Sequence, residues 1–298
     1  MVTQRNKDAL WITTERPCTF YEKDYYMNFE FFGREIPLYG VFFWLGIFAA
    51  AVFAIFVCKR RSVELFDLAS SAVYTLILAI VGAKLLYITV SWNDIIYFAE
   101  VNKLAFSELL PMIIKGGFVF YGGLIGGFLG LFIYAKQFKI DFSVLLDIYA
   151  AVLPLGHALG RVGCFFAGCC YGIHYNGPFS HIYKVPTGAA PVGISLFPVQ
   201  LLESLFLLLL FGSQILLLFK LPNKKHILVY NYTFSYSIIR FVLEFFRGDT
   251  ERGAVLFFST SQWISIGVCL TTLLLFYKNQ KYSQKEDGDP GRLESPST

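Results

Sequence analysis

Stretches of about 20 apolar residues recur along the chain, near 36–58, 65–91, 113–135, 143–170, 198–219, 228–246 and 262–277. A helix needs about 20 largely apolar residues to cross the hydrocarbon core of a bilayer. No water reaches that core, so each spanning segment must satisfy its own backbone N–H and C=O groups, and a helix does so. The spacing therefore predicts an all-α polytopic membrane protein with seven transmembrane helices, folded as one unit in a lipid bilayer. With 56% hydrophobic and 15% charged residues among 298, no inserted soluble domain is expected. A net charge of +4 is too small to suggest nucleic acid as a partner.

The few basic residues orient the spans. Lys59, Arg60 and Arg61 follow the first, Lys136 and Lys139 the third, Lys220, Lys224 and Lys225 the fifth, and Lys278, Lys281 and Lys285 the last. The loop at 92–112 instead carries Asp94, Glu100 and Glu108 against Lys103. The positive-inside rule then places the N-terminus outside and the C-terminus in the cytoplasm. Residues 1–35 are expected as an external N-terminal segment, whose aromatics between Phe20 and Phe32 suit the membrane interface. Arg5, Lys7, Asp8 and Glu15 interrupt it, so the first membrane helix, not a cleavable signal, is expected to direct insertion. Residues 36–277 form the seven-helix domain and 278–298 a disordered cytoplasmic tail.

Ionisable residues inside spans cost at least about 2.5–3.5 kcal/mol each at mid-bilayer, and mark function by default. Here they are Lys84, Lys115, His157, Arg161, Glu203, Arg240, Glu244 and Arg247. Under the topology above, Lys84, Arg161, Glu203, Arg240 and Glu244 converge on one depth below the outer surface, as does Tyr121. Arg240 and Glu244, four apart, can also simply pair along one helix face. Glycines crowd the same depth at 116–127 and 156–172, which suggests irregular backbone around a cavity, although small residues also serve helix packing. A cationic cavity there suits a phospholipid headgroup, because guanidinium binds phosphate bidentately.

Gly160-Arg161-Val162-Gly163, the Tyr121-Gly122-Gly123-Leu124-Ile125-Gly126 run and the stretch from Tyr236 to Arg247 resemble the prolipoprotein diacylglyceryl transferases. Tyr39-Gly40, Gly82-Ala83-Lys84, Pro198 to Glu203 and Ser261-Gln262-Trp263 are similar to further motifs of that family, in order along residues 36–277. The resemblance implies a seven-helix enzyme of the bacterial cytoplasmic membrane with its active site facing the outer leaflet. Such enzymes move a diacylglyceryl group from phosphatidylglycerol to the lipobox cysteine of a secreted preprotein. Glycerol phosphate leaves, a thioether forms, and neither a metal nor an organic cofactor is needed. By this carry-over Tyr121, Arg161, Arg240 and Glu244 would be catalytic, with the arginines on the headgroup. Tyr39, Lys84, Cys164, Gly172, Glu203 and Tyr236 would line the substrate site.

Three positions depart from the family pattern: Tyr121 replaces the usual histidine, Cys164 an asparagine and Cys169 a glutamate. These exchanges keep two alternatives open. One is a family paralogue that transfers its glycerolipid group to a different acceptor. The other is a membrane thiol–disulfide oxidoreductase using Cys164, Cys169 and Cys170, the clustered three of six cysteines. Their spacing is not a usual zinc pattern, and small thiols also simply pack. The loop from Ile173 to Phe197 is expected outside, either covering the pocket or as a plain connector.

Overall fold

The computed structural model describes residues 28–31, 34–103, 105–221, 224–249 and 254–287. An antiparallel hairpin of β1 (Asn28–Phe31) and β2 (Arg34–Pro37) leads into α1 (Leu38–Arg60). After α2 (Leu65–Val90) come two short helices, α3 (Trp92–Val101) and α4 (Phe106–Lys115), and then α5 (Phe120–Phe138). The remaining helices are α6 (Phe142–Phe166), α7 (Val199–Lys220), α8 (Ile227–Leu243) and α9 (Thr260–Asp287). Strands β3 (His181–Ile182) and β4 (Ser195–Leu196) pair in the α6–α7 loop, and β5 (Ala254–Val255) with β6 (Phe258–Ser259) before α9.

Among the described residues, α1, α2, α6, α7 and Thr260–Lys281 of α9 are long and apolar enough to cross a membrane. Large apolar side chains such as Trp44, Phe48, Phe66, Leu76, Leu209 and Leu274 stand exposed on these helices, as lipid-facing residues do. The chain is a multi-pass membrane protein. Two of the expected spans form shorter helices: α5 has 19 residues and α8 has 17. At 1.5 Å per residue α8 reaches roughly 25 Å.

Several expected boundaries move, each for a physical reason. The run expected at 113–135 is two helices, because the chain leaves helical geometry between Lys115 and Phe120. Lys84 Nζ holds that break by donating to the carbonyls of Ile113, Ile114, Gly116 and Gly117 at 2.8–3.2 Å. Of the irregular backbone expected at 116–127 and 156–172, residues 116–119 and 167–172 do leave helical geometry, whereas 120–127 and 156–166 are regular helix. Its glycines serve close packing: a Cβ at Gly122, Gly126 or Gly130 of α5 would collide with the backbone carbonyl of Gly82, Leu78 or Tyr74 of α2. Gly46 of α1 meets Gly156 of α6 in the same way, a Cβ there lying 3.0 Å from the Gly156 carbonyl oxygen. At the C-terminus α9 continues through Asp287, so residues 278–287, expected in a disordered tail, are helical. Their Lys, Gln and Glu side chains favour helix once the span has nucleated it. Residues 1–27 and 288–298 of the expected terminal segments lie outside the described residues.

One end of the bundle is closed by Asp147 of α6. Its carboxylate pairs with Arg61 at 3.2 Å and accepts from the backbone N–H of His226 and Val229 at 3.1 and 3.3 Å. Asp141 caps α6 through Ser143 N–H at 2.9 Å, and the hydrogen bond from Lys225 holds its carboxyl below the usual carboxylate range. Val57, Ile148, Ala151, Leu218 and Leu228 pack beside this end, where α1, α6, α7 and α8 meet.

The glycine seam makes a direct prediction. Gly126→Leu drives a side chain into the α2 backbone and should cost at least about 3 kcal/mol. Leu124→Ala, on the 60% exposed face of the same helix, should leave thermal unfolding in detergent nearly unchanged.

Candidate active site

Three helices bring ionisable side chains to the opposite end of α6. The first turns of α7 are fastened to the α6 end by two uncharged side chains. Gln200 Nε2 donates to the Cys169 carbonyl at 2.9 Å, and Ser204 Oγ to the Ala158 carbonyl at 2.9 Å. Between them Glu203 faces α6, with its side chain only 1% exposed. Its Oε1 lies 3.0 Å from Arg161 Nη2, accepts from the Tyr236 hydroxyl at 3.3 Å, and has His157 Nε2 at 3.8 Å. Tyr236 is held in turn by Tyr232, whose ring stacks on it at 5.8 Å, and by the edge of His157 at 5.2 Å.

A second ion pair lies on α8. Arg240 Nη2 is 2.6 Å from Glu244 Oε2 and donates to Ser261 Oγ of α9 at 3.2 Å. Glu244 begins a 3₁₀ turn, Glu244–Phe246, where α8 ends. Both guanidinium groups lie within electrostatic reach of His157 and Tyr236. Each arginine keeps a buried N–H without a partner among the described residues: Arg161 Nε and Arg240 Nη1. An unsatisfied buried donor costs about 1–3 kcal/mol, and an anion accepting from both recovers that penalty.

Other residues named from the sequence have different partners. Lys84 has all its N–H bonds occupied by the carbonyls at the α4 end and lies over the Phe118 ring at 4.3 Å, so it clamps the helix break. Tyr121, 42% exposed in the first turn of α5, makes a ring contact with Phe120 and no hydrogen bond or ion pair with the cluster. Tyr39 packs over Gly163, where a Cβ would sit 3.3 Å from its ring and its carbonyl oxygen, within electrostatic reach of the three cysteines. Gly172 is a backbone junction. A Cβ there would collide with the Phe197 carbonyl, and Ile173 N–H donates to Phe246 O at 3.0 Å.

Cys164, Cys169 and Cys170 are free thiols hydrogen-bonded among themselves. Hydrogen bonds from Cys164 and Cys169, and then from Arg247, hold Cys170 well below the usual thiol range, whereas the same thiol contacts push Cys169 up. Arg247 also binds Asp249 bidentately, at 2.9 and 2.7 Å. The α6–α7 loop folds onto this end with a core of Tyr183, Ala190 and Leu196. The Tyr183 hydroxyl donates to the Phe165 carbonyl at 2.8 Å, and Gly168 and Gly188, both at positive φ, let the loop backbone close on the helix end. His157 is one of the ionisable residues within the apolar runs, and only its approach to Glu203 brings it into the cluster. Ser261 and Gln200 lay within quoted motifs, but only the packing of α9 on α8 and α7 on α6 shows what they hold.

The family model for prolipoprotein diacylglyceryl transferase matches residues 27–278. Similar curated proteins include phosphatidylglycerol–prolipoprotein diacylglyceryl transferase 2 of Clostridium perfringens, 34% identical over 266 residues, which are 87% of this chain and 97% of that protein. The enzyme of the corresponding name from Clostridium tetani is 34% identical over 249 residues, 83% of this chain and 95% of its own. That from Dehalococcoides mccartyi is 30% identical over 255 residues, covering 84% and 92%.

Removing one partner of a buried ion pair strands the other charge at a cost of about 3–5 kcal/mol. Glu203→Ala should therefore lower stability in detergent by about that much, while Tyr121→Phe should change it by less than about 0.5 kcal/mol. Thermal unfolding of the two variants side by side measures the difference.

Proposed function

Because the chain belongs to the prolipoprotein diacylglyceryl transferase family, we propose that it transfers the diacylglyceryl group of phosphatidylglycerol to the lipobox cysteine thiol of a secreted preprotein, releasing glycerol phosphate. The observation that carries this reading is the pair of buried guanidinium groups, each tethered to a glutamate and each with one N–H unused. A phosphodiester at that point accepts from both arginines. The thiol attacks the glycerol carbon bearing the phosphate, the carbon–oxygen bond breaks, and the phosphate gains a charge. Fixed guanidinium groups in a water-poor site favour that charge more than water does. Glu203 and Glu244 keep the arginines aimed, and Tyr236 positions Glu203.

The reading extends to topology. The two shorter helices, α5 and α8, complete seven spans, with residues 1–35 outside, 36–277 as the transferase domain and the C-terminus inside. Support comes from Lys59, Arg60, Lys136, Lys139 and Lys225, all near the Asp147 end, whereas Arg161 lies at the other end of α6. In a bacterial cytoplasmic membrane this turns the arginine site toward the outer leaflet, where preproteins emerge and phosphatidylglycerol is at hand.

The mutual contact of Cys164, Cys169 and Cys170 favours one second reading, a thiol–disulfide oxidoreductase. The two readings separate in one assay with purified protein, labelled phosphatidylglycerol and a lipobox peptide. Thioether product is expected from the wild type, with Arg161→Ala reducing kcat/KM by about 10³-fold or more. Cys164→Ala and Cys169→Ala should keep most activity. No product from the wild type, where another family member works, overturns the transfer reading or points to a different acceptor.

A further inference from the structure

The incoming thiol must lose a proton, and the cluster offers few groups to take it. Glu203 is 1% exposed and already faces Arg161 and Tyr236 through Oε1. Glu244 is paired with Arg240. Tyr121, at the position where the family carries histidine, makes no hydrogen bond or ion pair with the cluster. Of four histidines, His174 and His181 belong to the α6–α7 loop and His226 to the Asp147 end. His157 remains, with its side chain 28% exposed and Nε2 at 3.8 Å from Glu203 Oε1, too long for a hydrogen bond.

Resting on the transferase reading above, we infer that His157 is the general base for the acceptor thiol. Its position fits the displacement. His157 lies four residues before Arg161 on α6, so its Cα is roughly 6 Å further from the end where Arg161 holds the phosphate. The reacting carbon of the lipid lies on the acyl side of that phosphate, and an in-line thiol approaches opposite the departing oxygen. The thiol proton passes to the imidazole, the sulfur–carbon bond forms, and the carbon–oxygen electron pair leaves with glycerol phosphate. The imidazolium then returns its proton to water or to the released phosphate.

Charge balance favours the same assignment. The groups facing His157 are Arg161 on its own helix, Glu203 on α7, and Tyr236 and Arg240 on α8, with Glu244 beside Arg240. The two arginines and two glutamates cancel formally. The positive charge gained by His157 in the transfer is thus matched by the negative charge gained by the phosphate. The Tyr236 ring, 5.2 Å away and at 61° to it, packs against the imidazole and orients it.

The test uses the full-length protein with labelled phosphatidylglycerol and a lipobox peptide, comparing wild type, His157→Gln and Arg161→Ala. His157→Gln should lower kcat by about 10²-fold or more with KM for phosphatidylglycerol within about threefold of wild type. Its residual rate should climb with pH toward the thiol's own pKa of about 8.5, where wild type has already levelled. A wild-type kcat and pH profile in His157→Gln, or a defect confined to KM, overturns the assignment. Should His157→Gln fail to fold, His157→Ala decides: recovery with added imidazole of about tenfold or more supports the base, and no recovery overturns it. A wild type that makes no product refutes the transfer reading and this inference with it, whereas an active wild type beside a fully active His157→Gln refutes only the inference.

Discussion

Glu203 Oε1 receives the Arg161 guanidinium at 3.0 Å and the Tyr236 hydroxyl at 3.3 Å, in a side chain that is 1% exposed. Withdrawing both charges from water costs several kcal/mol per ion, and a buried pair often recovers no more than that. The pair is therefore poor evidence for stability and has to be imposed by the helices around it. Gln200 and Ser204 do this from α7, each bonding a backbone carbonyl of the α6 end instead of another side chain. Their hydrogen bonds set the position of Glu203 before any ligand arrives. Arg161, Tyr236 and His157 then take their places around one fixed oxygen.

The Asp147 end shows the same problem solved to another purpose. There a buried carboxylate meets one guanidinium and two backbone N–H groups, drawn from the start of α8 and the residue before it. Those N–H groups belong to a helix N-terminus, whose donors have no partner within the helix. The carboxylate ties two helices together. At the Glu203 end the partners are side chains on neighbouring helices, and both arginines keep a buried N–H without a partner among the described residues. A carboxylate satisfied by backbone builds a joint, whereas one that only half-satisfies its arginine leaves a donor open to a further acceptor.

Long apolar runs made the helical, multi-pass architecture legible in the sequence, because hydrocarbon thickness acts through composition alone. Arg161, Glu203, Arg240 and Glu244 stood out for the related reason that charges are scarce in spans. The glycines were harder. Their density at 116–127 suggested broken backbone, which residues 116–119 show, yet Gly122, Gly126 and Gly130 form a stripe against the α2 backbone, and only the facing helix shows which reading holds where. Lys84 shared the depth of the pocket, but its partners are the carbonyls that α4 leaves unsatisfied, and α4 itself lay in a stretch read as loop. Gly172, expected at the substrate site, is a place where three backbones meet, which composition alone does not show. In each case the missing information was a partner distant in sequence.

The cysteine exchanges become intelligible in the same terms. Asparagine and carboxylate side chains are strong hydrogen-bond acceptors, and a thiol is a weak one. Cys164 and Cys170 lie within electrostatic reach of Arg161, yet its Nε has no partner. A stronger acceptor in their place would compete with an arriving phosphate for the guanidinium. The thiols leave that donor unused, so a larger share of the arginine's hydrogen-bonding capacity is realised only when an anion binds. On the proposed transfer reading, the substitution removes polar groups from the wall of the site without removing the forces proposed to bind phosphate. Those forces reside in Arg161 and Arg240 and in the two glutamates that aim them.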